Sequence, residues 1–431
     1  MQSIPAADPA PGPRVQKPKP QIRIAVVGGG IGGLGLALAL HQQGLACDVF
    51  EGVGEVREIG VGITLLPHAM RELAALGLQA EIEAAGIENL ESVFFNRFGQ
   101  FIYREPRGRH AGYPLPEIGI HRGKLHRILF DAALQRLGAQ HIHLNCRCTG
   151  VTQDGPLATL RLVDGVTGAA LPSVDADVVV ACDGIHSALR RQFYPGETLA
   201  FAGINSWRGV TRHKPILTGK TYLRIGSIRT GKIVIYPIVE DIDASGLQLI
   251  NWMAEIEGTA ERMNDWNQGG RVEDFIGIFR EWQFDWLDVP ALIRGAERVL
   301  EYPMVDRDPL PRWTFGRVTL LGDAAHPMYP RGSNGSAQAL IDGRTLAREL
   351  ASQSDPREAL QAYEQQRREA TARIVLTNRS VPPDFINIRV EELTGDKPFR
   401  HIDDVISQDE LRAISENYKQ VAGFSVDALK P

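Results

Sequence analysis

From Ile22 the chain alternates between unbroken apolar runs and segments with a helical period. IRIAVVGG reads as a short strand covered on both faces, as in a parallel sheet. GIGGLGLALALHQQG follows as a helix stopped by Gly44, and ACDVFE as a second strand closing on Glu51. Together they form one βαβ unit. PHAMRELAALG, Pro67 to Gly77, and HRGKLHRILFDAALQRLG, His121 to Gly138, read as helices. The second sets Leu125, Ile128, Leu129, Ala132 and Leu137 near one face. ADVVVACDG is another buried strand, ending at Asp183-Gly184. Between residues 196 and 300 the pattern changes to alternating runs (TYLRIG, KIVIYPI, LQLINWM), and five of the six tryptophans fall there. That is the signature of an antiparallel sheet with one covered face. RVTLLGDAAH then restores the buried-strand pattern. The tail beyond Asn378 holds helical and loop segments of no clear type.

The alternation predicts an α/β fold with a discontinuous Rossmann-like nucleotide-binding core over 22–75, 105–195 and 300–378. A mainly antiparallel β-sheet substrate domain is inserted over 76–104 and 196–299. A helical segment follows over 379–431. The Pro- and Ala-rich stretch 1–21 lacks the apolar centre of a signal peptide and reads as a disordered arm.

Composition narrows the function classes. The 431 residues are 43% hydrophobic and 23% charged, with a net charge of -5. No broad basic surface for nucleic acid is expected, and no run is long enough to span a bilayer. Cys47, Cys146, Cys148 and Cys182 include no C-x-x-C pair. They read as thiols of a cytoplasmic protein, with no metal site.

Three stretches carry chemistry. Gly28-x-Gly30-x-x-Gly33 follows a strand and opens a helix, with Ile31 and Gly32 inside the turn. There Gly28 permits a tight turn, Gly30 lets the backbone meet a pyrophosphate, and Gly33 lets the helix pack on the strand. Glu51 can accept hydrogen bonds from both hydroxyls of an adenosine ribose; the pattern suits NAD or FAD. In ACDGIHSALRR, Asp183 and Gly184, with Ser187 and Arg190 after them, either line a pyrophosphate channel or form a capped turn. In LLGDAAHPMYPRGSNGSAQALIDG, the Asp323 carboxylate can accept from sugar-alcohol hydroxyls or reach a phosphate through water. Gly332 to Ala337 would present N–H groups at a helix start, which stabilises charge on a reduced flavin's N1–C2=O edge. Asp342, further along, reads as a solvated helix charge or a functional acid. His326 reads as structural or chemical, and Arg122 as a phosphate or ribose contact or a surface arginine.

The three motifs GGGIGG with Glu51, ACDGIHSALR and LLGDAAHPMYP, in that order, resemble the single-component FAD-dependent aromatic hydroxylases, the class A flavoprotein monooxygenases. The resemblance runs from Ile22 to about Arg379. SWRGVT, LINWM, YPMVDRDPLPRW and HPMYPRGSNGSAQALIDG look most like the phenazine-, salicylate- and hydroxybenzoate-hydroxylating branches. It implies a three-layer ββα, glutathione-reductase-like FAD-binding core. It also implies FAD as cofactor, NADH or NADPH as co-substrate, and O2 as oxidant. A small-molecule aromatic substrate would be hydroxylated through a flavin C4a-hydroperoxide. ADP would lie on Gly28–Gly33 and Glu51, and ribitol and pyrophosphate near Asp323 and Arg122, with Arg57 beside them. Asp183-Gly184 would serve both FAD and NAD(P)H. Pro330, Gly335, Ser336 and Ala337 would position the flavin ring, with Gly60-Val61-Gly62 facing it from the other side. Many relatives carry asparagine where this chain has Ala337, which leaves backbone N–H groups alone for that role. Substrate would sit between inserted sheet and flavin, with Trp207, Arg208, Tyr236 and Met304 as candidates by position. No side-chain acid or base is implied, and the protein is expected as a monomer or homodimer.

A reductase or halogenase of the same fold and a non-catalytic flavin sensor are the competing readings. Disulfide reductases need a redox dithiol near the first helix, which this sequence lacks. WQFDWL does not match the W-x-W-x-I-P of related halogenases. Substrate-stimulated NAD(P)H consumption separates an enzyme from a sensor.

Overall fold

The computed structural model describes residues 22–55, 60–258, 269–380 and 384–429. The expected arm over 1–21 and the candidate Arg57 lie outside the described residues. Strand Ile24–Val27 pairs in parallel with Cys47–Phe50 on one side and Val178–Ala181 on the other. Ile142–His143, Val318–Leu320 and Thr314–Phe315 complete a six-stranded sheet. Ile24–Val27 and Val178–Ala181 are buried without alternation, as a sheet covered on both faces requires. One core joins this sheet to helices Ile31–Gln42 and Arg122–Leu137. The same core includes an antiparallel sheet of Cys146–Thr152, Ala158–Asp164 and Val174–Ala176. These are the three layers expected of the nucleotide-binding core.

The alternating runs build a seven-stranded sheet. Its order is Ala296–Asp306, Ala200–His213, Leu247–Glu257, Gly231–Ile242, Thr221–Ser227, Glu91–Phe95 and Phe101–Pro106. Ala296–Asp306 pairs with Ala200–His213, so the inserted sheet runs past the expected break at 299. Alternation sorts its side chains. One face sends Trp207, Ile233, Ile235 and Trp252 into a separate core with Phe275 and Phe279. The other carries Val210, Tyr222, Val234, Tyr236, Leu249 and Met253.

The tail is helical and touches both units. Helix Pro356–Ser380 runs across the expected boundary at 378. Its proline occupies the first turn, where a missing N–H breaks no helical bond. Helix Phe385–Thr394 packs Ile386 and Val390 on Phe94, Ile102 and Tyr103 of the inserted sheet. Helix Gln408–Val421 opens with a capping box between Ser407 and Glu410. Its Tyr418, with Phe424, packs on Leu66 and Tyr113.

Candidate functional site

The first strand ends in a turn that brings Gly28 (φ 103°) against the end of strand Val178–Ala181. A Cβ on Gly33 would lie 1.9 Å from the Gly28 carbonyl oxygen, so the helix can start here only with glycine. A Cβ on Gly30 would meet nothing within 4 Å. The turn is therefore tight where it packs and open where a pyrophosphate would approach. Glu51 Oε2 accepts from Gly29 N at 2.6 Å and Oε1 from Val53 N at 2.9 Å. Each oxygen keeps a further lone pair for a ribose hydroxyl. His126, which the sequence did not flag, lies with Nε2 2.6 Å from the Gly29 carbonyl.

Asp183 forms the turn and keeps one acceptor over, which is compatible with both of its readings. Its Oδ2 accepts from Ala188 N at 2.8 Å, while Oδ1 is buried with no partner among the described residues. Burial raises its pKa, against the pull of its hydrogen bonds with Ser187 and Ala188. Arg190 does not line a channel. It is buried in a pair with Glu197, and it donates to the carbonyls of Ala324 at 3.0 Å and Ala325 at 2.9 Å. It thereby fixes the strand exit that carries Asp323.

Asp323 is exposed. Its pKa is nonetheless raised by burial, against the pull of His326 and Arg122. The carboxylate is thus reached by solvent while protein surrounds it on its other sides. Arg122 N donates to Val61 O at 3.0 Å, and the Arg122 side chain stands beside Gly60. The Gly60–Gly62 loop is pinned from above, because Gly62 N donates to Asn251 Oδ1 of the inserted sheet at 2.6 Å. Asp323, Arg122, Gly60 and Gly62 thus surround one cleft.

Helix Gly335–Ser352 starts below this cleft without a side-chain cap. Its first N–H groups, on Gly335, Ser336 and Ala337, are free among the described residues and can meet partial negative charge. Pro330 is exposed at the loop's start, whereas the Ala337 side chain is buried in the core. Asp342 is neither solvated nor free. Its carboxylate lies 2.5 Å from His326 Nε2 and accepts from Arg367 Nε at 2.7 Å. Burial alone would raise its pKa, but His326 and Arg367 outweigh it and hold it below the ordinary range. His326 is thereby part of a buried structural triad.

The substrate candidates divide. Tyr236 stands on the cleft side of the inserted sheet, stacked on Tyr222 with centroids 5.0 Å apart. Arg208, paired in register with Met253, shares that face. It is half-buried over the Tyr302 ring at 5.3 Å and meets no carboxylate among the described residues. Met304 packs with Ile204, Ile228 and Tyr329 in a small core next to Pro330. Trp207 points the other way, stacked on Phe275 at 4.8 Å. The reason is register: Trp207 pairs with Ala254, and that row faces the separate core. Trp207 is a core residue, not a cleft residue.

The glycine turn with its open Gly30, the spare oxygen of Asp183, the cleft acid Asp323 and the uncapped helix start suit one ligand. They fit a dinucleotide with hydroxyls and phosphates along its length and an electron-accepting ring at its end. Comparison with known proteins agrees. A family model described as an FAD binding domain matches residues 21–266 and 302–378. The phenazine 1,6-dicarboxylic acid hydroxylase of Lysobacter antibioticus is 41% identical over 346 residues, covering 79% of this chain and 85% of that protein. A 3-amino-4-hydroxybenzoate 2-monooxygenase of Streptomyces platensis is 34% identical over 338 residues, covering 76% of this chain and 80% of that protein. A salicylate hydroxylase substrate complex superposes with a TM-score of 0.71 at 21% identity, covering 95% of this chain and 98% of that chain. Klebsiella pneumoniae HpxO complexed with FAD and uric acid gives 0.73 at 23%, covering 95% and 97%. At those identities the two structures show the fold.

Proposed function

The chain belongs to the FAD-dependent aromatic monooxygenases, and from that premise we propose that it hydroxylates an aromatic carboxylic acid held through Arg208. Two relatives are named for aromatic acids, a phenazine dicarboxylic acid and an aminohydroxybenzoate. The observation that carries the reading is that Arg208, bonded through Nε to Ser206 Oγ at 3.5 Å and lying over Tyr302, meets no carboxylate among the described residues. Lys232 and Arg224 on the same face are buried, whereas Arg208 is only half-buried. Lys232 is ion-paired with Glu255 at 2.5 Å and Asp384 at 2.9 Å. Arg224 donates to Ser92 and lies over Tyr222 and Phe94. A half-buried guanidinium that meets no carboxylate among the described residues suits a ligand that brings one.

In this reading Gly28–Gly33, Glu51, Asp183, Asp323 and the Gly335–Ala337 N–H groups hold FAD. Gly60–Gly62 closes on it, with Arg122 beside the phosphates. When bound there, FAD would supply hydride acceptance from NADH or NADPH and activation of O2, one oxygen atom going to the aromatic ring and the other leaving as water. The chain supplies position and dryness. Tyr222, Val234, Tyr236 and Met253 give an apolar roof that orients a flat ring and keeps water out. The helix start favours the negative charge of the reduced cofactor. The reductase, halogenase and sensor readings have no counterpart among the two curated relatives compared, which are named as hydroxylase and monooxygenase. Among the described residues no helix is long and apolar enough to cross a membrane. A cytoplasmic location and a monomer or homodimer complete the reading, the second checked by light scattering.

The test is NADH and NADPH oxidation by the purified flavoprotein with phenazine, hydroxybenzoate and pyridine carboxylic acids and their carboxamides. Hydrogen peroxide is assayed in parallel. At least one acid should give oxidation with little peroxide. Arg208→Met should raise KM for that acid about 10- to 100-fold, the worth of a charged hydrogen bond. KM for its carboxamide should move much less. Equal changes for acid and amide would remove Arg208 from the role. Peroxide in step with NAD(P)H for every acid would sink the substrate class.

A further inference from the structure

Asparagine is among the best N-cap residues, because its side chain closes on the first N–H groups of a helix. Asn334 stands at that position of helix Gly335–Ser352 and does not cap it. Its backbone is held at φ -92° and ψ -23°, away from the extended conformation that capping residues adopt. Both ends of its side-chain amide have partners elsewhere. Asn334 Nδ2 donates to Tyr418 Oη at 2.9 Å and to Gly332 O at 3.0 Å. Asn334 Oδ1 lies 3.0 Å from His68 Nε2. Asn334, His68 and Tyr418 are all buried.

Tyr418 reaches this loop from helix Gln408–Val421. Its hydroxyl donates to Asn378 Oδ1 at 2.8 Å and lies 3.3 Å from Arg331 O. It packs so closely on Gly332 that a Cβ there would sit 1.8 Å from it. Two consecutive residues of the loop, Gly332 (φ 80°) and Ser333 (φ 54°), are left-handed, which is unfavourable for serine. The loop is therefore held in a conformation it would not choose alone.

Resting on the reading that FAD sits at this helix start, we propose that Tyr418 is a positioning residue. It accepts from Nδ2 and, with His68 on Oδ1, orients the Asn334 amide away from the helix start, and so keeps the Gly335–Ala337 N–H groups open to the flavin. Without its hydroxyl, Asn334 swings onto those N–H groups and competes with the cofactor. An asparagine cap is worth about 1 kcal/mol, which corresponds to about fivefold in affinity.

The test uses the full-length protein and measures FAD affinity by fluorescence titration of the apoprotein and the flavin reduction potential with a reference dye. Tyr418→Phe keeps the ring and removes the hydroxyl. It should weaken oxidised FAD about fivefold and weaken reduced FAD further, moving the potential to more negative values. Asn334→Ala removes the competitor, so adding Tyr418→Phe to it should change neither quantity again. A loss of packing alone would lower the melting temperature and leave the potential where it was. An effect of Tyr418→Phe that persists undiminished in the Asn334→Ala background overturns the proposal while leaving the FAD site standing. If Tyr418→Phe does not fold, Asn334→Ala decides: a weakened FAD complex there overturns the proposal, and an equal or tighter one supports it. Failure of the wild-type protein to bind FAD at one per chain would remove the underlying reading as well.

Discussion

Replacing Gly30 by valine separates the turn's folding role from its binding role. Gly30 has φ -77° and ψ -173°, extended backbone open to any residue. Its Cβ direction is empty to 4 Å. The apoprotein should therefore lose only the difference between glycine and valine at a helix N-cap, about 1 kcal/mol. In a protein of this size that lowers Tm by about 2 °C. Two methyl groups in the path of the pyrophosphate should cost FAD about 3 kcal/mol or more, over 100-fold in Kd. Gly33→Ala is the contrast. Its methyl would lie 1.9 Å from the Gly28 carbonyl, whereas carbon and oxygen normally approach to about 3.3 Å. The turn must open, and apoprotein stability and FAD affinity should fall together. The assay is thermal melting of both apoproteins followed by FAD titration. FAD affinity within twofold of wild type in Gly30→Val would refute the placement of the pyrophosphate. A fall in Tm as large as that of Gly33→Ala would refute the separation of roles.

Asp323→Ala should weaken FAD without lowering apoprotein stability, since the carboxylate faces the cleft; unchanged flavin affinity in titration would count against it. Asp342→Ala leaves Arg367 buried without its carboxylate, so urea unfolding should show a loss of about 3–5 kcal/mol. Burial lowers the pKa of His68 to about 3, with its hydrogen bond to Asn334 opposing the shift, while the unfolded chain takes up that proton near pH 6.5. The contribution is complete above about 6.5 and declines as pH falls toward 3, by up to about 1.4 kcal/mol per pH unit. Urea midpoints at pH 7.5, 6 and 5 should show it, and His68→Gln should flatten the slope. Trp207→Ala should destabilise by about 3–5 kcal/mol and leave substrate KM near wild type, because its ring lies in the separate core. A large KM change in folded protein would return it to the cleft.

The sequence disclosed those features that local patterning controls. Unbroken apolar runs marked Ile24–Val27 and Val178–Ala181 because a parallel sheet is covered on both faces. The spacing of Gly28, Gly30 and Gly33 marked the turn because each glycine answers a different steric demand. Trp207 was misplaced because the face of a strand residue depends on register, and a shift of one residue exchanges the faces. Asp342 was left open between solvent and function because its partners are His326, one helix start away, and Arg367 on another helix. The roles of His68, Asn334 and Tyr418 depend on segments up to 350 positions apart, and no local signal marks their meeting. Two signals in the tail were readable, Pro356 at a helix start and the Ser407-x-x-Glu410 box.

The hydrogen bond from Gly62 to Asn251 bears on how this scaffold could be retuned. Asn251 lies on the same strand face as Leu249 and Met253, and Met253 belongs to the proposed roof. In the proposed reading one strand would shape the space for the substrate and also anchor the loop beside the cofactor. A library that randomises the whole strand would damage both functions together, and most of its members would be colourless. Diversity confined to Val210, Leu249 and Met253, with Asn251 held fixed, would explore new rings while the yellow cofactor stays in place.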